Sequence, residues 1–167
     1  MKKLTTLLLA LVMMMSLAAC GGKTAEKEEI KSADLNAFYE STVTSIVESV
    51  GEENFPMMMP LEGEMLDGFY PGLSEVATKQ CIAYAPAMSA VAAEFVLVEV
   101  ENAEDVETVQ GILQARIDAQ VDGGAWYPET IEGWKNNSRL AVNGNSLMLV
   151  VWESADEIVE SFNALFA

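Results

Sequence analysis

Two stretches of this chain pass from strand-like to helical periodicity in the same order, and that order constrains the fold more than any other feature. In the first, "QCIAYAP" (80–86) and "AAEFVLVEV" (92–100) are apolar runs rich in β-branched and aromatic residues, of strand rather than helix length. They are joined across Pro86 to Ala90. Asn102-Ala103-Glu104-Asp105 then reads as a helix cap with an acid three residues on. Val106, Val109, Leu113, Ile117 and Val121 make an apolar helical stripe as far as Gly123-Gly124. In the second, "RLAV" (139–142) and "SLMLVVW" (146–152) flank Asn143-Gly144-Asn145. Asn-Gly between apolar runs is the strongest short hairpin signal. Ser154-Ala155-Asp156-Glu157 is a capping box, and Ile158, Phe162, Leu165 and Phe166 make the helix after it amphipathic.

Ahead of these units, Leu35, Phe38, Tyr39, Thr42, Ile46 and Val50 recur at helical spacing until Gly51 stops them. Residues 52–76 carry three prolines and several glycines, which predicts turns and one short helix around Glu62 to Leu66. The expected architecture is α+β. An N-terminal helix precedes two strand-strand-helix units, and an antiparallel sheet of about four strands carries helices packed on one face. The two units share an order of elements but no residue-level repeat. At 167 residues the chain suits one domain with a proper core.

The first nineteen residues follow the plan of an export signal. Lys2 and Lys3 supply the positive end, Leu4 to Met15 the apolar stretch, and Ser16-Leu17-Ala18-Ala19 the small residues of a cleavage site. The apolar part falls short of the roughly 20 residues that a lasting membrane span needs. Leu17-Ala18-Ala19-Cys20 also resembles the bacterial lipobox, and the alternative is an ordinary secretion signal with a chance cysteine. The resemblance implies a lipid on the Cys20 thiol, with palmitate-type acyl chains, and a cut just before it. Two acyl chains at about 0.8 kcal/mol per buried methylene anchor far more tightly than one. Residues 21–32, "GGKTAEKEEIKS", are polar and nearly free of apolar side chains, as a flexible tether would be. The expected division is a signal over 1–19, a lipidated N-terminus and tether over 20–33, and a single α+β domain over 34–167.

Loss of residues 1–19 would leave seven basic residues against 26 acidic ones, a formal charge of −19 in place of −17. Such a field repels nucleic acid, whose binding depends on Lys and Arg neutralising phosphates, so no nucleic-acid partner is expected. It also repels anionic lipid head groups and anionic wall polymers.

"GFYPGLSEV", "FVLVEVENAEDVETVQGILQARID", "YPETIEGW" and "LAVNGNSLMLVVWESADEIVESF" together resemble a domain-of-unknown-function family, number 4358. The resemblance covers roughly residues 35–166. It implies a small lipoprotein of the kind found mostly in Gram-positive anaerobes, in agreement with the lipobox, and implies no activity.

Chemistry-bearing motifs are sparse. The chain has no histidine, which removes the commonest general base and the usual partner of a nucleophilic Ser or Cys. It contains no G-x-S-x-G, P-loop or S-x-x-K sequence. The expectation is therefore a non-enzyme, with no catalytic residue, no cofactor and no assigned metal ligand. Pro56-Met57-Met58-Met59-Pro60, with Met65 nearby, offers soft thioethers that suit Cu(I), an adaptable contact loop, or simple packing. "ENAEDVE" and "QVDGGAW" lack the alternating ligands of a calcium loop. Trp126, Tyr127 and Trp134 can stack on sugars, anchor a protein partner, or close over a core. Arg116, one of two arginines, is expected to pair with an acid at a sheet end. Cys81 is expected to be a buried small apolar residue on a strand.

The sequence thus points to a lipoprotein anchored at the extracytoplasmic face of the cell membrane through Cys20, with a non-catalytic binding or interaction module. Its expected contact surface is Met57, Met58 and Met59 with Trp126, Tyr127 and Trp134, for a protein or cell-wall partner. Two alternatives stay open: a metal-handling lipoprotein with Met or carboxylate ligands, and a cell-wall hydrolase built on paired carboxylates.

Overall fold

The computed structural model describes residues 31–167; the expected signal, Cys20 and residues 21–30 of the expected tether lie outside the described residues. Helix α1 (Leu35–Val50) opens on Asp34, whose carboxylate accepts a hydrogen bond from the Ala37 amide at 2.9 Å. It stops where Gly51 turns to a φ of 88°. Strand β1 (Met58–Pro60) and helix α2 (Glu64–Phe69) occupy the proline-rich segment. Strands β2 (Thr78–Pro86) and β3 (Glu94–Val100) lead to helix α3 (Val106–Ala119). Helix α4 (Pro128–Asn137), strands β4 (Ser138–Asn143) and β5 (Ser146–Val151), and helix α5 (Ala155–Ala164) complete the chain.

The strands form one antiparallel sheet in the order β1-β2-β3-β5-β4. Both expected strand pairs and the helices after them are present, so the α+β class stands. Two particulars differ. The sheet has five strands rather than about four, because the three residues of β1 pair with Tyr84 to Pro86 at the edge. A strand of that length ending on proline carries too few residues to show a period of two, and proline is tolerated at an edge.

The helices also cover both faces of the sheet, not one. Val96, Val98, Val100, Leu147 and Leu149 meet Val109 and Leu113 of α3 and Trp134 of α4. Phe95, Leu97, Met148 and Val150, pointing the other way, meet Leu35, Phe38 and Ile46 of α1 and Ile158 and Phe162 of α5. The cause was already in the residues. A strand with one wet face alternates in polarity, whereas every residue of β3 and of β5 is buried. On the α1 side Tyr39 stacks on Tyr84 with ring centroids 4.4 Å apart, and Phe38 meets Phe162 edge-on at 5.8 Å.

The β4–β5 hairpin pairs Asn143 with Ser146, which leaves Gly144-Asn145 as its two-residue loop. Gly144 has a φ of 58° and Asn145 keeps a negative φ, the pattern of a type II′ turn with glycine first.

A polar clamp fixes where the chain enters the fold. Glu99, 1 % exposed near the end of β3, accepts hydrogen bonds from Lys79 Nζ (3.0 Å), Gln80 Nε2 (2.7 Å) and Ser32 Oγ (2.8 Å). Gln80 also bonds the Ala33 carbonyl and the Leu35 amide, tying the start of α1 to this end of the sheet. Among the described residues no helix is long and apolar enough to cross a membrane.

Candidate binding groove

At the opposite end of the sheet an acid and a base meet under aromatic cover. Glu94 is the first residue of β3 and is 1 % exposed. Arg116, in the last turn of α3, grips it with both arms of the guanidinium. Nε donates to Oε1 at 2.9 Å and Nη2 to Oε2 at 2.8 Å. The Tyr70 hydroxyl, just after α2, donates to Oε1 as well. The guanidinium lies 4.6 Å from the ring centroid of Phe69, 5.3 Å from Trp134 and 5.9 Å from Tyr70. Burial pushes the Tyr70 hydroxyl pKa well up, and the Glu94 carboxylate pushes it further, so this hydroxyl stays a proton donor. Burial pulls the Arg116 pKa down, but bonding to Glu94 and its charge outweigh that and leave the pKa above its usual value.

A groove of about 310 Å³ lies over this pair. Met59 of β1, Phe69 and Trp126 wall it with buried Trp134, and Glu94 and Arg116 sit at its base. One side is the wide π-type turn Gln120–Gly124, which extends α3 and ends where Gly123 takes a φ of 106°. Val91, in the β2–β3 connection, lines this groove and a second one of about 780 Å³. That second groove runs past Phe55, Met57, Met88 and Trp152, with Glu53, Glu129 and Glu153 among its lining residues. Exposure is high here: Met57 77 %, Met88 64 % and Trp126 87 %.

The six residues expected to make contact are thus divided. Met59, Trp126 and Trp134 meet in the Arg116 groove, although Trp134, 2 % exposed, is mainly a core residue of α4. Met57 lines the adjoining groove. Met58 packs beneath α1 on the other face of the sheet. Tyr127 precedes Pro128, the first residue of α4, and is half exposed outside both linings. Consecutive residues on a strand point to opposite faces, so Met58 and Met59 cannot share one Cu(I) ion. Among the described residues no three Asp, Glu or Cys side chains group to hold an ion. The Arg116 groove has a single carboxylate among its lining residues, Glu94, and Arg116 and Tyr70 already engage it.

Arg116 does pair with a sheet-end acid, as its residue type and position suggested. Glu94, Tyr70 and Phe69 were not singled out by sequence reasoning. The available signal was an acid opening the otherwise apolar run "EFVLVEV". Cys81 is exposed, not buried. It lies upstream of the residues that β1 pairs with, and only from Ala83 onward does β2 bury side chains in the core.

The structure is an α+β domain whose five-stranded sheet lies between two helical layers and carries, at one end, a groove with Phe69, Trp126 and Trp134 in its walls. The chain belongs to the family described as a domain of unknown function (DUF4358), whose model matches residues 51–152. The match is narrower than the 35–166 of the sequence resemblance. It leaves out α1 and α5 but takes in all five strands and every residue of the Arg116 groove. No curated protein and no solved structure matches the chain.

Proposed function

We propose that this chain is a non-catalytic binding module at the extracytoplasmic face of the membrane, held there by lipid on Cys20. Its ligand seats in the groove over Arg116. The observation that carries this reading is a convergence. Met59, Trp126 and Trp134, from two stretches more than sixty residues apart, meet over one buried ion pair. An exposed tryptophan beside a formed groove is the kind of anchor that binding surfaces use. The arrangement suits holding better than turnover, since Glu94 is already neutralised and no second carboxylate lines the groove with it.

The placement of the two sheet ends supports the same reading. Chain entry is fixed at Glu99 and the groove lies at Glu94, at opposite ends of β3. At about 3.3 Å per residue they stand roughly 17 Å apart. A domain tethered from residue 20 therefore carries its groove away from the lipid.

Site-specific photocrosslinking on intact cells of the native host tests the proposal. Benzoylphenylalanine in place of Trp126 is expected to capture a discrete partner, and the same probe in place of Val142 is not. Equal capture from both positions contradicts it.

A further inference from the structure

We infer that the occupant of this groove is a polypeptide segment carrying a large apolar side chain flanked by lysine or arginine. The inference rests on the binding reading above and names the class of ligand. Three observations lead to it. The two grooves adjoin through Val91 and together run past Met57, Met88 and Trp126, three of the most exposed apolar side chains of the fold. Contiguous apolar exposure of this kind marks an interaction site, and thioethers adapt to apolar side chains of varied shape. Adjoining spaces of about 310 and 780 Å³ have room for an extended segment of several residues.

Charge selects the flanks of that segment. Glu53, Glu129 and Glu153 line the larger groove, which has no lysine or arginine among its lining residues. The one cation of the smaller groove, Arg116, is matched by Glu94. With a formal charge of −17 over the whole chain, the long-range field acts in the same direction. An acidic segment would meet repulsion in the larger groove, and an uncharged apolar one would forgo the attraction of its acids.

The test uses the full chain in detergent and three labelled nine-residue peptides. Each has a central Leu-Phe-Leu flanked on both sides by three Lys, three Ser or three Glu, and binding is read by fluorescence anisotropy. The Lys peptide is expected to bind about tenfold more tightly than the Ser peptide, with the Glu peptide weakest. The pair of substitutions Trp126→Ala and Met88→Ser should weaken the Lys peptide at least fivefold, while Val142→Ser leaves it unchanged. Glu53→Gln, Glu129→Gln and Glu153→Gln together should remove most of the preference for the Lys peptide over the Ser peptide. Circular dichroism of each variant verifies that it is folded. Equal affinity for all three peptides, no binding up to 1 mM, or Lys-peptide binding indifferent to Trp126→Ala and Met88→Ser overturns the inference. A tetramer of N-acetylglucosamine run in parallel separates the two levels of the argument. If it binds in a Trp126-dependent way and the peptides do not, the peptide inference falls and the groove reading stands. If neither probe depends on Trp126, both fall.

Discussion

Replacing Arg116 with methionine keeps the length and much of the apolar volume of the side chain but removes the guanidinium. Glu94, 1 % exposed, is then left with the Tyr70 hydroxyl as its partner. Breaking a buried pair by removing one member costs about 3–5 kcal/mol, because a charge stays buried without compensation. Against a typical stability of about 5–15 kcal/mol this is a large loss, on the order of 10 °C in melting temperature. Adding Glu94→Gln, which still accepts the Tyr70 proton, should restore most of the loss, since an uncharged pair of similar volume has little to desolvate. Urea unfolding at pH 7 measures both changes. A loss below about 1 kcal/mol for Arg116→Met, or no recovery on adding Glu94→Gln, refutes the account of the pair.

Three further outcomes are expected. Glu99 is pushed up by burial, but hydrogen bonds from Lys79, Ser32 and Gln80 and the charge of Lys79 hold its pKa below the usual carboxylate range. Its contribution is thus present above about pH 4.3 and lost as pH falls; Glu99→Gln should destabilise at pH 7 and much less at pH 3.5, read by urea midpoints. Tyr39 and Tyr70 have raised pKa values, from burial first and then from Tyr84 and Glu94 respectively. Stability should hold below pH 10 and fall above it by up to about 2.7 kcal/mol per pH unit for the two together, and a flat profile to pH 11 counts against their burial. Cys20→Ala should move the protein from the membrane fraction to the medium, and unchanged fractionation removes the lipid anchor.

Much of this fold is written in local periodicity. The strand pairs, the stripes of α1, α3 and α5 and the Gly144 turn each need only a few neighbouring residues to be recognised. Layering was less accessible, although the absence of alternation in "EFVLVEV" and "SLMLVV" already required cover on both faces. Trp134 was grouped with Trp126 and Tyr127 on one contact surface, yet Pro128 at the first helical position starts α4 and turns Trp134 inward. The groove is legible only in part. Arg116 asked for an acid, but which acid depends on register, and nothing local to Tyr70 or Phe69 announces that they close around the pair. Met58 and Met59 show the same limit. Their adjacency in sequence suggested one surface, and the pleat of β1 separates them.

The central claim is that the Arg116 end of the sheet holds a specific partner. Saturable crosslinking tests it most directly. Cells displaying the chain with benzoylphenylalanine at position 126 are irradiated with increasing amounts of purified wild-type chain or of its Trp126→Ala variant. The wild-type chain should abolish the crosslink in a dose-dependent way and the variant should fail to compete. Equal competition by both, or a crosslink that neither displaces, would contradict the account.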